Sequence, residues 1–145
     1  MAQPDLDIAT YLGATLATLT LGTNLFAGPI RTFSTSEDSA GGVPPSAVFC
    51  LMSGGKPDEV FHEGSASTLR HLAYPSVQIF IRYADSFQAG QVLAESIFSA
   101  VNHRPTTDYV EWSVSTSSPL YLGQEDDQHH EWSINVSIIL DEVVP

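Results

Sequence analysis

Residues Ser76 to Tyr83, SVQIFIRY, repeat with a period of two. In an extended chain Val77, Ile79, Ile81 and Tyr83 fall on one side, and Gln78, Phe80 and Arg82 on the other. The segment 131–142, EWSINVSIILDE, does the same with Trp132, Ile134, Val136, Ile138 and Leu140. Two long strands that each carry one continuous apolar side require a sheet with one face buried, because a one-residue slip would turn that whole set toward water. Two shorter segments join them. In 109–116, YVEWSVST, the residues Val110, Trp112 and Val114 share a face, and 47–52, AVFCLM, is a short apolar run that reads as a buried strand.

The layer that covers this sheet is helical. From about Ser86 to Val101 the apolar positions Leu93, Ile97 and Val101 recur on one helical face, flanked by Ala94 and Phe98. Asp85 and Gln88, three apart, read as a variant of the capping box at its start. A first helix begins at Pro4 and Asp5, with Asp5 as the expected N-cap. It carries the stripe Ile8, Tyr11, Leu12, Leu16 and Leu19 and is expected to stop at Gly22. Gly13 and several threonines lower its intrinsic propensity, so packing must hold it.

The order helix, strands, helix, strands contains no βαβ repeat. It predicts an α+β fold: an antiparallel sheet, mixed at most, of about four to five strands with two helices on one face. The 145 residues suit a single domain spanning 1–145. The remaining segments read as connections. In 21–31, LGTNLFAGPIR, Leu25 and Phe26 are expected to tuck a short extended piece under the sheet edge, with Gly28 and Pro29 releasing the chain. Residues 32–46 and 117–130 read as long polar loops, mobile or in contact with partners. SGGKPDE (53–59) reads as a turn, 60–75 is ambiguous, and STLRHLA (67–73) suits a helical turn.

Charge narrows the partners. Seventeen acids against five Lys and Arg give a net charge of −12. Duplex binding depends on cations that neutralise phosphates, so this chain is not expected to grip DNA or an anionic membrane. Only 15% of residues are charged, below the usual quarter, which suits a surface covered by other subunits. The apolar stretch 8–22 is short and diluted by Thr and Gly, so it reads as a buried helix and not as a membrane span.

Motifs for catalysis are missing from the sequence: no phosphate-binding loop, no G-x-S-x-G and no H-E-x-x-H. The run EDDQHHE (125–131) collects metal-ligand residue types, yet adjacent His129 and His130 point to opposite faces of an extended chain and chelate poorly. His62, His71 and His103 lie in or beside predicted loops. Cys50, the single cysteine, sits in the apolar run 47–52 and reads as a small core residue whose burial disfavours the thiolate. The expectation is a protein that is not an enzyme and takes no cofactor or metal. Phe80 and Ile139 fall on the sheet face away from the helices, as a pair on neighbouring strands. Together with Arg82, and with Gln124, Asp126, Asp127, His129 and His130 of the 117–130 segment, they form the candidate interface.

Taken in order, LGTNLFAGPI, AVFCLMSGG, YPSVQIFIRY and LYLGQEDDQHHEWSINVSI resemble the tail terminator proteins of long-tailed bacteriophages, also described as minor capsid or tail completion proteins. The resemblance runs over residues 6–141, apart from 54–75. It implies a small α+β subunit that assembles with copies of itself into a hexameric ring. That ring caps the tail tube protein, meets the head–tail connector, and lets DNA pass without specific binding. The implied location is the virion tail or neck, after synthesis in the bacterial host cytoplasm. A tube subunit, a head–tail adaptor or a small acidic binding module are the alternatives.

Overall fold

A computed structural model describes residues 3–28, 45–62, 69–102, 109, 111–125 and 129–144. The period-two segments become its longest strands. In chain order the elements are α1 (Pro4–Thr15), β1 (Leu25–Ala27), β2 (Ala47–His62), β3 (Leu69–Ala84), α2 (Phe87–Val101), β4 (Glu111–Val114), β5 (Leu120–Glu125) and β6 (His129–Val144). They build the expected α+β architecture with one strand more than the four to five read from the sequence. The sheet order is β1-β2-β3-β6-β4, and β5 also pairs β6. All pairings are antiparallel except β1 with β2. β5 sits against residues 129–133 of β6 and β4 against 136–139, so the two share one edge of the sheet.

The inner face follows the alternation. Val77, Ile79 and Ile81 of β3 and Trp132, Ile134, Val136 and Ile138 of β6 are buried. Cys50 and Val48 of β2 stand in register with Ile79 and Ile81. Ile8 and Leu12 of α1, and Ala94, Ile97 and Val101 of α2, close over them as one core. Close approach of α2 depends on Gly90, where a Cβ would overlap the Trp132 ring. Any larger residue there would push the helix off the sheet. The phenol of Tyr109 donates to Asp7 Oδ2 and ties the approach to β4 onto α1.

Several expectations are corrected. Pro4 occupies the first turn of α1 with Gln3 as N-cap, so Asp5 lies inside the helix, where its charge favours the positive end of the helix dipole. The helix ends at Thr15 and not at Gly22. Leu16 is already extended (φ −108°, ψ 111°). Threonines with poor helix propensity follow, and Asn24 offers them an alternative. Its Oδ1 accepts from Thr20 N at 2.7 Å and its Nδ2 donates to the Thr18 carbonyl at 2.9 Å. Leu19 still reaches the core, through a turn. At α2 the capping box of Asp85 and Gln88 gives way to Ser86, whose Oγ accepts from Ala89 N at 3.1 Å.

Residues 53–59 are not a turn and 69–73 are not helical, because both belong to the long β2–β3 pair. Register shifts between Met52 and Gly55 and between Lys56 and Glu59 absorb Pro57, which cannot donate to a ladder. Gly55 (φ 137°) meets the Tyr74 carbonyl where a side chain would begin. The 117–130 segment is not a continuous loop, since residues 120–125 form β5. As expected, Leu25 and Phe26 form an edge segment: β1 lies parallel to β2, with Leu25 opposite Val48 and Phe26 opposite Phe49. Residues 32–44 of the other proposed loop lie outside the described residues, whereas Ser46 accepts from Ala84 N at 2.9 Å and pins β2 to the end of β3.

Candidate interaction surfaces

The outer face of the sheet carries a row of side chains in register across five strands. Phe26 of β1 stands opposite Phe49, Phe49 opposite Phe80, Phe80 opposite Ser133, and Ser133 opposite Leu120. The rings of Phe26 and Phe49 stack at 5.3 Å. Phe49 is fully buried, and Phe26, Leu51 and Phe80 pack around it as a second, smaller apolar cluster. Phe80 is therefore half-buried against Phe49 and does not stand alone as a contact residue. Ile139 is on the same face but far away: six positions along β6 from the partner of Phe80, or about 20 Å at ~3.3 Å per residue, and opposite Glu111 of β4. The expected Phe80–Ile139 pair does not exist. Arg82, only 6% exposed, stands between Ala47 and Glu131 in register, an arrangement that pairs opposite charges across β3 and β6.

At the β5 end the inner face is aromatic. Tyr121 of β5, His130 and Trp132 of β6 and Phe87 of α2 form one group. Phe87 is edge-on to Tyr121 at 5.0 Å and to His130 at 5.6 Å. The Tyr121 hydroxyl is 2.7 Å from His130 Nδ1, and Trp132 Nε1 donates to Gln91 Oε1 at 2.7 Å. His129 points to the opposite face, and its Nδ1 is buried without a hydrogen-bond partner. The two histidines are thus split between faces, as adjacent strand positions require. Gln124 is exposed opposite His130. Asp126 and Asp127 lie outside the described residues. The structure brings Gln124, His129 and His130 to one end of β6 and β5, and leaves Ile139 at the other.

Sequence reasoning missed two features. The first is the projection on β5. Leu120, Tyr121 and Leu122 are each more than 40% exposed. Tyr121 pairs Trp132 and Gly123 pairs Glu131, so Leu122 is the extra residue of a bulge, followed by Gly123 at φ 116°. The apolar Leu-Tyr-Leu run inside a polar stretch was the available signal. The second is a groove of about 490 Å³ on the other flank of α2. Leu16 and Leu19 form one wall, Ala89 and Leu93 the other, Val48 lies in the floor, and Val92, 63% exposed, stands at the rim. None of the described residues lining it is charged. Three of its polar members are engaged within the chain, Asn24 with Thr18 and Thr20, Ser46 with Ala84, and Ser96 Oγ with the Val92 carbonyl, and Thr15, Thr18 and Tyr83 add hydroxyls to the lining. No sequence pattern announces this groove, because it exists only where α1 ends early.

Among the described residues no group of three or more His, Cys, Asp and Glu could hold a metal ion. Cys50 is fully buried, and desolvation, helped by the Asp5 charge, pushes its thiol up from 9.0 to about 12. A thiol held protonated in this way is a poor nucleophile. Among the described residues no helix is long and apolar enough to cross a membrane. No known family model matches the chain, and no curated protein matches it significantly.

Proposed function

We propose that this chain is a structural subunit of the tail of a long-tailed bacteriophage, a tail terminator that assembles into a closed ring, caps the tube and meets the head connector. One observation carries the self-assembling part of this reading. Two exposed apolar places flank α2: Tyr121 of β5 with Phe87 on one side, next to Leu120 and Leu122, and Val92 above the groove on the other, while Leu6, Leu21 and Met52 are exposed outside both. A ring needs two different contact surfaces per subunit, since head-to-tail contacts alone close a cycle. The phage-tail part rests on the resemblance of residues 6–141 apart from 54–75, and the α+β fold agrees with what that resemblance implies. The reading includes no catalysis and no cofactor. It assigns the net charge of −12 to a channel whose walls do not hold phosphates.

Negative-stain electron microscopy of the purified protein tests this directly. Discrete rings of one diameter support a terminator. Open-ended tubes of unlimited length would make the chain a tube subunit, and isolated particles of single-chain size would remove the structural reading.

A further inference from the structure

We propose that the corner built by Phe87, Tyr121 and Glu95 docks an extended, arginine-bearing segment of another protein. This inference goes beyond the ring reading and does not rest on it. It uses neither Leu120 nor Leu122.

Two aromatic rings stand at the surface in fixed positions. Phe87 and Tyr121 meet edge-on, at 89°, and remain 42% and 41% exposed. Behind them the fully buried Trp132 ring lies 5.6 Å from Phe87 and 5.3 Å from Tyr121. The Tyr121 hydroxyl is bonded to His130 Nδ1. Rings held in this way lose little freedom when a ligand stacks on them. A carboxylate is fixed on the same flank. Trp132 Nε1 donates to Gln91 Oε1, and Gln91 Nε2 donates to Glu95 Oε1 at 3.1 Å, so the chain of bonds ends on an exposed acid. Phe87, Gln91 and Glu95 are four apart and share one helix face. Two turns separate the first from the last, about 12 Å along the axis.

Charge complementarity selects the occupant. The three elements that build the corner, α2, β5 and β6, contain no Lys or Arg, in a chain with 17 acids against five such bases. An arriving cation therefore meets no base on these elements, and an anion is repelled. Among cations arginine fits both halves of the corner. Its planar guanidinium stacks on an aromatic face, and it pairs with a carboxylate through two parallel hydrogen bonds. An extended segment rises about 3.3 Å per residue. Arginines four residues apart then span about 13 Å, so one reaches the rings while the other reaches Glu95.

The probe is a fluorescently labelled Gly-Ser peptide with two arginines four residues apart, titrated with the full chain and followed by fluorescence anisotropy. Binding is expected to saturate, and to be tighter than for the same peptide with lysines or with its two arginines adjacent. Phe87→Leu, which removes a ring and no hydrogen bond, and Tyr121→Leu are each expected to weaken it about two- to fivefold, as for an exposed cation–π contact. Glu95→Gln keeps an acceptor for Gln91 and is expected to weaken it by up to about fivefold, as for an exposed ion pair. Asp141→Asn removes the same charge on an exposed residue far along β6 and is expected to change little. Circular dichroism checks that each variant folds. The proposal is wrong if the peptide does not bind. It is equally wrong if the lysine form binds as tightly and Asp141→Asn costs as much as Glu95→Gln, since the attraction then belongs to the acidic chain as a whole. Both results leave the ring reading untouched, because that reading is judged by the size of the oligomer.

Discussion

Gly90 of α2 lies so close to Trp132 of β6 that a methyl group at position 90 would overlap the indole ring and crowd the Tyr83 Cβ. The contact sets the height of the helix above the sheet. Gly90→Ala improves helix propensity by up to about 1 kcal/mol, but overpacking costs typically ~1–3 kcal/mol. The rigid ring makes the second effect the larger. Urea denaturation is expected to show a net loss of stability, and a gain would mean that α2 rides higher than described.

Beside that contact, the Trp132 indole donates to Gln91, which in turn donates to Glu95 Oε1 at 3.1 Å. Gln91→Leu leaves the N–H of a fully buried ring without its acceptor, at a cost of about 1–3 kcal/mol. Trp132→Phe in the same background removes the stranded donor. A double-mutant cycle is expected to show coupling between the two positions, and strict additivity would contradict the bond.

Phe80 has a structural duty on the outer face. It packs with Phe26 and Leu51 around Phe49, and truncation to Ala is expected to cost roughly 1–3 kcal/mol, less than the ~3–5 kcal/mol of a fully buried phenylalanine. Thermal unfolding of Phe80→Ala measures this. An unchanged midpoint would return Phe80 to the role of a free contact residue.

Cys50 gives the fold an alkaline sensitivity. Burial pushes its thiol up from the ordinary 9.0 to about 12 in the folded chain. Between these values the folded chain keeps the proton that the unfolded chain has lost, so stability contributed by the neutral thiol is full below pH 9 and declines as pH rises toward 12. The slope approaches about 1.4 kcal/mol per pH unit in that window. Cys50→Ala is less stable at neutral pH because of the cavity, but it should decline less steeply above pH 9. Parallel slopes for the two proteins would show that the thiol does not titrate differently on folding.

The sequence spoke most clearly where one residue decides one face. The alternations of Val77–Tyr83 and Trp132–Leu140, and the α2 face of Ile97 and Val101, are local patterns and survive intact. It spoke poorly where a distant partner decides. Gly54, Gly55 and Pro57 look like a turn until β3 pairs with them across bulges. Leu120–Glu125 looks like a loop because its alternation is broken by the bulge at Leu122. The end of α1 was misplaced because the side chain that replaces its hydrogen bonds, Asn24, comes nine residues after Thr15. Of the candidate contact residues, Gln124 and His130 do lie at the β5 end, but Arg82 and Phe80 turned out to serve the sheet itself. The groove depends on the early end of α1 and could not be seen at all.

Sedimentation velocity of the purified protein over a concentration series tests the central proposal, that copies of this chain close into a ring. The account predicts a single finite species of six copies that stops growing as concentration rises. A chain that sediments as a monomer at every concentration would contradict it.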